Sequence, residues 1–264
     1  MIKHLLSIAA GVLLITLVGC EDSEPKDPEP VVLEIQEPKA QEEVEIYLDE
    51  LDYNDSMETG NSLYYSRGEG ETSESVEVKV YMNDSNQVVK MEEIIVAPGS
   101  NTVTSNRFYF RNDKKVATKR FFQEKVGDEF QFVEIRSFYD ADETVKVTKR
   151  RTAPYEELLD GEMFKVTRNE DCKADRAFQI LNQEGEFVTT FQGFIDMGGF
   201  IYLIVGEDKK NGFATSLIVQ MVTPYVQELR RKEKEMIGTP LEVQFETITD
   251  SGGSEQILHA VRKK

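Results

Sequence analysis

The sequence predicts a mainly β protein: an antiparallel β-meander followed by a small β-barrel that includes one helix. Three observations carry that expectation. Ser75-Val76-Glu77-Val78-Lys79-Val80-Tyr81 alternates strictly between polar and apolar residues, the period-two signature of a half-buried strand. An aromatic–turn–valine–lysine pattern then recurs, with Tyr81, Phe110 and Tyr139 each 29 residues after the last. In the C-terminal third, apolar runs separated by turn residues surround a single sustained helical pattern that opens at Thr223-Pro224.

Near the start, Lys3 supplies a positive charge ahead of a mostly apolar run from Leu5 to Val18, then Gly19-Cys20. The run is shorter than the roughly 20 apolar residues that span a bilayer, and has the layout of a cleaved export signal. Leu17-Val18-Gly19-Cys20 resembles the bacterial lipobox, in which a signal peptidase cuts before a cysteine that carries diacylglycerol. The resemblance covers these twenty residues only. It implies that residues 1–19 are a lipoprotein signal peptide and that Cys20 is the lipid attachment site. It also implies an outer-membrane lipoprotein of the cell envelope, facing the periplasm or the cell surface. Glu21-Asp22-Ser23-Glu24 is similar to the surface-export tags of some Gram-negative lipoproteins, and reads equally as the start of a solvated linker. Residues 20–43 hold Pro25, Pro28, Pro30 and Pro38 among acidic side chains, a composition that favours an extended spacer.

Residues 44–168 read as the meander. Asn83-Asp84-Ser85-Asn86, Asn112-Asp113-Lys114 and Asp140-Ala141-Asp142-Glu143 supply its turns, each followed by a returning strand. Pro154 to Gly161 reads as one or two helical turns, with proline near the start and glycine at the end. Asn169 to Asp175 is polar and reads as a joint. In residues 169–264, strands are expected at Ala177–Leu181, Glu186–Phe194, Phe200–Val205 and Phe213–Met221, with Phe200–Val205 apolar enough to be buried on both faces. A helix then runs from Pro224 to Gly238, and a hairpin closes the chain around Asp250-Ser251-Gly252-Gly253. Strands, one helix and two more strands is the order of an OB-type small barrel. The resemblance is architectural, with no residue signature.

Composition excludes several functions. A net charge of −18 argues against nucleic acid, whose binding rests on Lys and Arg neutralising phosphates. There are two cysteines, two histidines and no tryptophan. With Cys20 lipidated, Cys172 has no disulfide partner and reads as a small buried apolar residue. With His4 lost in the signal, His259 is the one mature histidine. That leaves no His/Cys cluster for zinc and no metal or cofactor is expected. An enzyme would be confined to carboxylate, Tyr or Lys chemistry.

Charge is unevenly spread, residues 107–151 being the net-basic stretch of an acidic chain. Arg107, Arg111, Lys115, Lys119, Arg120, Arg150 and Arg151 form the candidate interaction patch, for an acidic partner or anionic headgroups. The competing reading is a solvated sheet face whose charges blunt its edges. Asp140-Ala141-Asp142-Glu143 reads as a turn rather than a calcium loop. Glu92 and Glu93 should point to opposite faces, and each of Tyr64-Tyr65 and Phe121-Phe122 should divide between core and surface. The expected role is non-catalytic binding or assembly, through the membrane lipid and an envelope protein partner. A hydrophobic-ligand carrier built on the β-sheet is the alternative, and a carboxylate-based hydrolase a further one.

Overall fold

The structure is a computed structural model that describes residues 39–264 apart from 55, 100–102 and 251–252. Cys20, the signal peptide and most of the acidic linker lie outside the described residues. Its first element corrects the sequence reading, which places linker to residue 43 and β structure after it. Helix α1 spans Lys39–Asp52. Val44, Tyr47, Leu48 and Leu51 recur at the helical period, and Glu45, Asp49 and Asp52 make a second stripe beside them. The density of acid suggests a linker, but three of those acids have partners on the sheet.

Two short strands, β1 (Glu58–Asn61) and β2 (Tyr65–Arg67), precede the meander. Its seven strands are β3 (Glu74–Met82), β4 (Val88–Val96), β5 (Val103–Arg111), β6 (Lys114–Val126), β7 (Glu129–Tyr139), β8 (Val145–Ala153) and β9 (Lys165–Thr167). Each pairs antiparallel with the next. The hairpins β3–β4, β5–β6 and β7–β8 each carry a bulge beside the turn, where the register slips between Tyr81 and Met82, Tyr109 and Phe110, and Phe138 and Tyr139. Tyr81 therefore matches Tyr109 and Phe138, while Phe110 and Tyr139 match Met82. The 29-residue count aligns the last two hairpins and misses the first by one residue. In a strand a one-residue slip changes the face, so Tyr81 and Phe110 lie on opposite sides of the sheet.

The segment expected as a strand at Ala177–Leu181 is helix α2 (Asp175–Asn182), which buries Ala177 and Ile180 one turn apart. Five apolar-rich residues fit either period, and the sheet below decides. Strands β10 (Thr190–Met197), β11 (Phe200–Gly206) and β12 (Ala214–Val219) follow. Leu203 and Val205 are fully buried while Phe200 is 54% exposed, so β11 has one core face, not two. Helix α3 (Pro224–Arg231) starts as expected, Thr223 accepting the Val226 N–H. It breaks at Lys232 before the short α4 (Glu233–Met236). The hairpin β13 (Leu241–Asp250) and β14 (Gly253–Lys263) ends the chain.

Among the described residues these fourteen strands make one mostly antiparallel sheet, ordered β10-β11-β12-β2-β3-β4-β5-β6-β7-β8-β9, with β1 on β3, and β14 pairing both β12 and β13. The strands expected to close into an OB-like barrel instead continue the meander's sheet, which stays open. The short strand β2 bridges the two parts: it bonds β3 on one side and, through Ser66 opposite Ala214, β12 on the other.

The larger core covers one sheet face, where Tyr65, Met91, Phe108 and Leu217 meet Ile180, Phe187, Val226 and Leu229. The smaller covers the opposite face, where Leu48 and Leu51 of α1 pack on Val89, Tyr109, Ala117 and Phe138. Leu48 is fully buried. Leu48→Ala should destabilise the protein by about 3 kcal/mol through lost transfer energy and the cavity left behind, read as a shifted urea midpoint. A change within about 0.5 kcal/mol would mean that α1 is not docked on the sheet.

Candidate binding site

Four adjacent strands place a cation at the same level of the α1 face. Arg107 on β5 lies opposite Lys119 on β6, which lies opposite Arg136 on β7, which lies opposite Lys149 on β8. Like charges directly opposite one another destabilise a sheet, so this row requires anions. Glu92 closes it on β4, opposite Arg107 and 2.9 Å from its Nε. The acidic stripe of α1 supplies the rest. Asp52 stands 2.7 Å from the Lys119 ammonium, 3.5 Å from Lys90 and 3.7 Å from Arg107, and accepts a hydrogen bond from the Tyr109 hydroxyl at 2.9 Å. Asp49 reaches Lys119 at 3.7 Å. Glu45 meets Lys149 at 3.1 Å and Arg136 at 3.6 Å. One level along the sheet, the fully buried Glu134 carboxylate takes Arg136 at 2.7 Å and pairs with Arg151, which also binds Asp160 at 2.8 Å.

Titration follows this packing. Burial pushes the Asp52 carboxyl up, but Lys119, Arg107 and the Tyr109 hydroxyl outweigh it and hold the group below its ordinary 3.8. Glu92 is likewise held low, Arg107 and Ser105 overcoming its burial. Glu45 goes the other way: burial and its neighbour Asp49 lift it above 4.5 despite Arg136. Burial depresses Lys149. Burial is the largest cause of the shift at both Glu45 and Lys149, as desolvation commonly is for buried charges.

Past the C-terminal end of α1 the same sheet face is open, bounded by the 3-10 turn Glu156–Gly161. Two adjoining cavities of about 480 and 300 Å³ share Arg107, Phe121, Glu156 and Leu159, making one groove. Its larger end is walled by Val103, Phe121, Phe132 and Leu159, with Ser105 and Gln123 beside them. Its smaller end opens on the charged network at Asp52, Lys119, Glu134, Arg136 and Arg151. Within that network each cation faces a carboxylate. The groove thus offers an apolar bed and a polar end that both donates and accepts hydrogen bonds. Ser105 donates to Glu92 at 2.7 Å, and Glu92 is itself paired with Arg107. The Ser105 hydroxyl is thus already engaged by a carboxylate that is itself neutralised.

The seven candidate patch residues do not share one surface. Arg107, Lys119 and Arg151 sit on the α1 face. Lys115 and Arg120 are engaged by the segment expected as a joint: Lys115 reaches Asp171 at 3.0 Å and the Cys172 carbonyl at 2.9 Å, and Arg120 reaches Glu170 at 3.5 Å. That segment is a strap across the sheet, with Ser137 donating to the Glu170 carbonyl at 2.7 Å. Arg111 stacks over the Tyr47 ring at 4.2 Å, and Arg150 pairs with Glu124. Sequence reasoning named three of the cations that line the groove, Arg107, Lys119 and Arg151, and missed Arg136, because it did not pair the strands. It also missed α1, whose Val44-Tyr47-Leu48-Leu51 period is the signal that finds it.

The other candidates fall elsewhere. Glu92 and Glu93 do point to opposite faces, Glu93 accepting from Asn106 at 2.8 Å. Tyr65 is buried and Tyr64 exposed, whereas Phe121 and Phe122 are both half-buried. Asp140–Glu143 is a turn in which Thr144 donates to Asp142 and the Lys115 N–H to Glu143. Among the described residues no cluster of His, Cys, Asp and Glu could hold a metal ion. Cys172 packs against the larger core, and burial pushes its thiol up to about 11. His259, on β14, lies 3.1 Å from Glu246 and does not line the groove.

No family model, curated protein or solved structure matches this sequence. Among the described residues no helix is long and apolar enough to cross a membrane.

Asp52→Asn should destabilise the protein by about 3 kcal/mol near neutral pH, since Lys119 and Lys90 keep buried charges with fewer partners. Because the folded-state value lies below the ordinary one, the ionised carboxylate contributes stability above pH ~3.8, and that contribution is lost as pH falls through the lower folded value. The gap between wild type and variant in urea melts should be flat above about pH 5 and narrow below it. A gap that widens in acid would refute the pairing.

Proposed function

We propose that this chain is a lipid-anchored outer-membrane protein of the bacterial envelope, held by diacylglycerol on Cys20, and that its β body binds rather than transforms its ligand. The observation that carries the binding reading is the groove beside α1, where ionisable groups neutralise one another around an aromatic and aliphatic bed. The lipobox resemblance supports the anchor. An envelope protein is the expected partner, and the acidic balance disfavours nucleic acid.

The apolar end of the groove favours one refinement, the carrier reading, in which the ligand is an amphiphile. Its chain would lie on Val103, Phe121, Phe132 and Leu159, and its head would meet the charged end. The cavity, about 480 Å³ at that end, is within the size of sites that enclose small ligands.

Two measurements test these readings. Radiolabelled palmitate should enter the wild-type protein and not Cys20→Ala, which should leave the membrane fraction; equal labelling and equal membrane retention would end the anchor assignment. Native mass spectrometry of the intact protein should show a co-purified amphiphile that Phe121→Asp loses while remaining folded. Bare protein that also fails to bind added phospholipid would end the carrier reading and leave partner binding.

A further inference from the structure

Strand β12 bonds two different strands along one edge. At Ala214 its neighbour is β2, antiparallel; at Ile218 and Val219 it is β14, parallel, opposite Ile257 and Leu258. Between these pairings, residues 215–217 have no strand partner on that side among the described residues, and the sheet forks. Gln256 wedges the fork. Its carboxamide oxygen accepts from the Tyr64 N–H at 2.9 Å and the Thr215 hydroxyl at 3.4 Å, and its nitrogen donates to the Ser62 carbonyl at 3.0 Å.

A cavity of about 270 Å³ opens above this wedge, lined by Tyr64, Ser66, Tyr202, Ser216 and Ile218, with Glu255 at its rim. The hydroxyls of Tyr64, Tyr202, Ser66 and Ser216 make no hydrogen bond to another described residue, and neither tyrosine ring stacks on another ring or a cation. Tyr64 is 46% exposed and Tyr202 half-buried. Among the described residues the lining contains no Lys, Arg or His, which disfavours phosphate, carboxylate or sulfate ligands. Its aliphatic side chain, Ile218, is 5% exposed, which disfavours an acyl chain. What remains is a pair of tyrosine rings among hydroxyls that donate and accept. Tyrosine combines an apolar face with a polar tip, and a neutral sugar has apolar C–H faces and a rim of hydroxyls.

We propose that the fork between β2, β12 and β14 is a binding site for a neutral saccharide of one or two units, with Tyr64 and Tyr202 stacking on it and Ser66 and Ser216 bonding its hydroxyls. The site is separate from the groove beside α1 and does not rest on the groove's role.

The test is saturation-transfer NMR and calorimetry on the full chain with cellobiose, maltose, lactose, mannobiose and N,N′-diacetylchitobiose as probes. At least one should bind with millimolar or better affinity. Tyr202→Ala should weaken it about tenfold, the loss expected from removing a stacking ring. Tyr202→Phe should keep most of the binding, and the exposed Ser216→Ala should weaken it while leaving the melting temperature unchanged. Phe121→Asp, in the other groove, should leave sugar binding intact. Absence of binding by all five disaccharides at about 10 mM would overturn the proposal, as would binding that survives both Tyr202→Ala and Ser216→Ala. Binding of inorganic phosphate at these residues in place of sugar would do the same.

Discussion

A row of four cations on four neighbouring strands is the constraint around which half of this protein is arranged. Arg107, Lys119, Arg136 and Lys149 lie opposite one another, and their repulsion would oppose the pairing that aligns them. Helix α1 resolves the conflict by carrying acids at the helical spacing of the row, with Leu48 and Leu51 beside them to bury apolar surface. The acids and the leucines do different work. Burial supplies most of the docking energy, while the ion pairs, whose desolvation offsets much of their attraction, determine where on the sheet the helix sits.

That arrangement changes what the basic stretch of the sequence means. Read alone, a cluster of Lys and Arg in a strongly acidic chain invites an acidic partner. The acidic partner is largely the same chain: α1 on one face, and the strap at Glu170-Asp171-Cys172 on the other. What is left open is the sheet surface beyond the end of α1, where the neutralised charges border an apolar bed. The site therefore arises where the helix stops, after Asp52, and the turn at Glu156–Gly161 stands up on the other side.

The two halves expected as meander and barrel are joined by a three-residue strand. β2 is short, yet Tyr65 is fully buried and donates its hydroxyl to the Phe187 carbonyl at 2.5 Å, tying the bridge to the larger core. Because β2 ends early, β12 meets β14 further along the same edge. The fork and its cavity follow from that mismatch in strand length.

Strands, turns and the main helix start were readable because their causes are local: alternation from Ser75 to Tyr81, Asn and Asp in tight turns, Thr223 capping a helix opened by Pro224. The mainly β class follows from the same local rules. Three things were not readable, each for a physical reason. Ala177–Leu181 is too short for period to separate helix from strand. The bulges beside Tyr81, Tyr109 and Phe138 shift register by one residue, which spacing in sequence does not register as a change of face. The destination of the charged residues depends on which strands are neighbours. The sequence by itself determined that this chain builds an antiparallel sheet and carries opposite charges in separate segments. Only the tertiary structure decided that those segments meet, that the sheet stays open, and where its surface is left uncovered, because these depend on contacts between residues far apart in the chain.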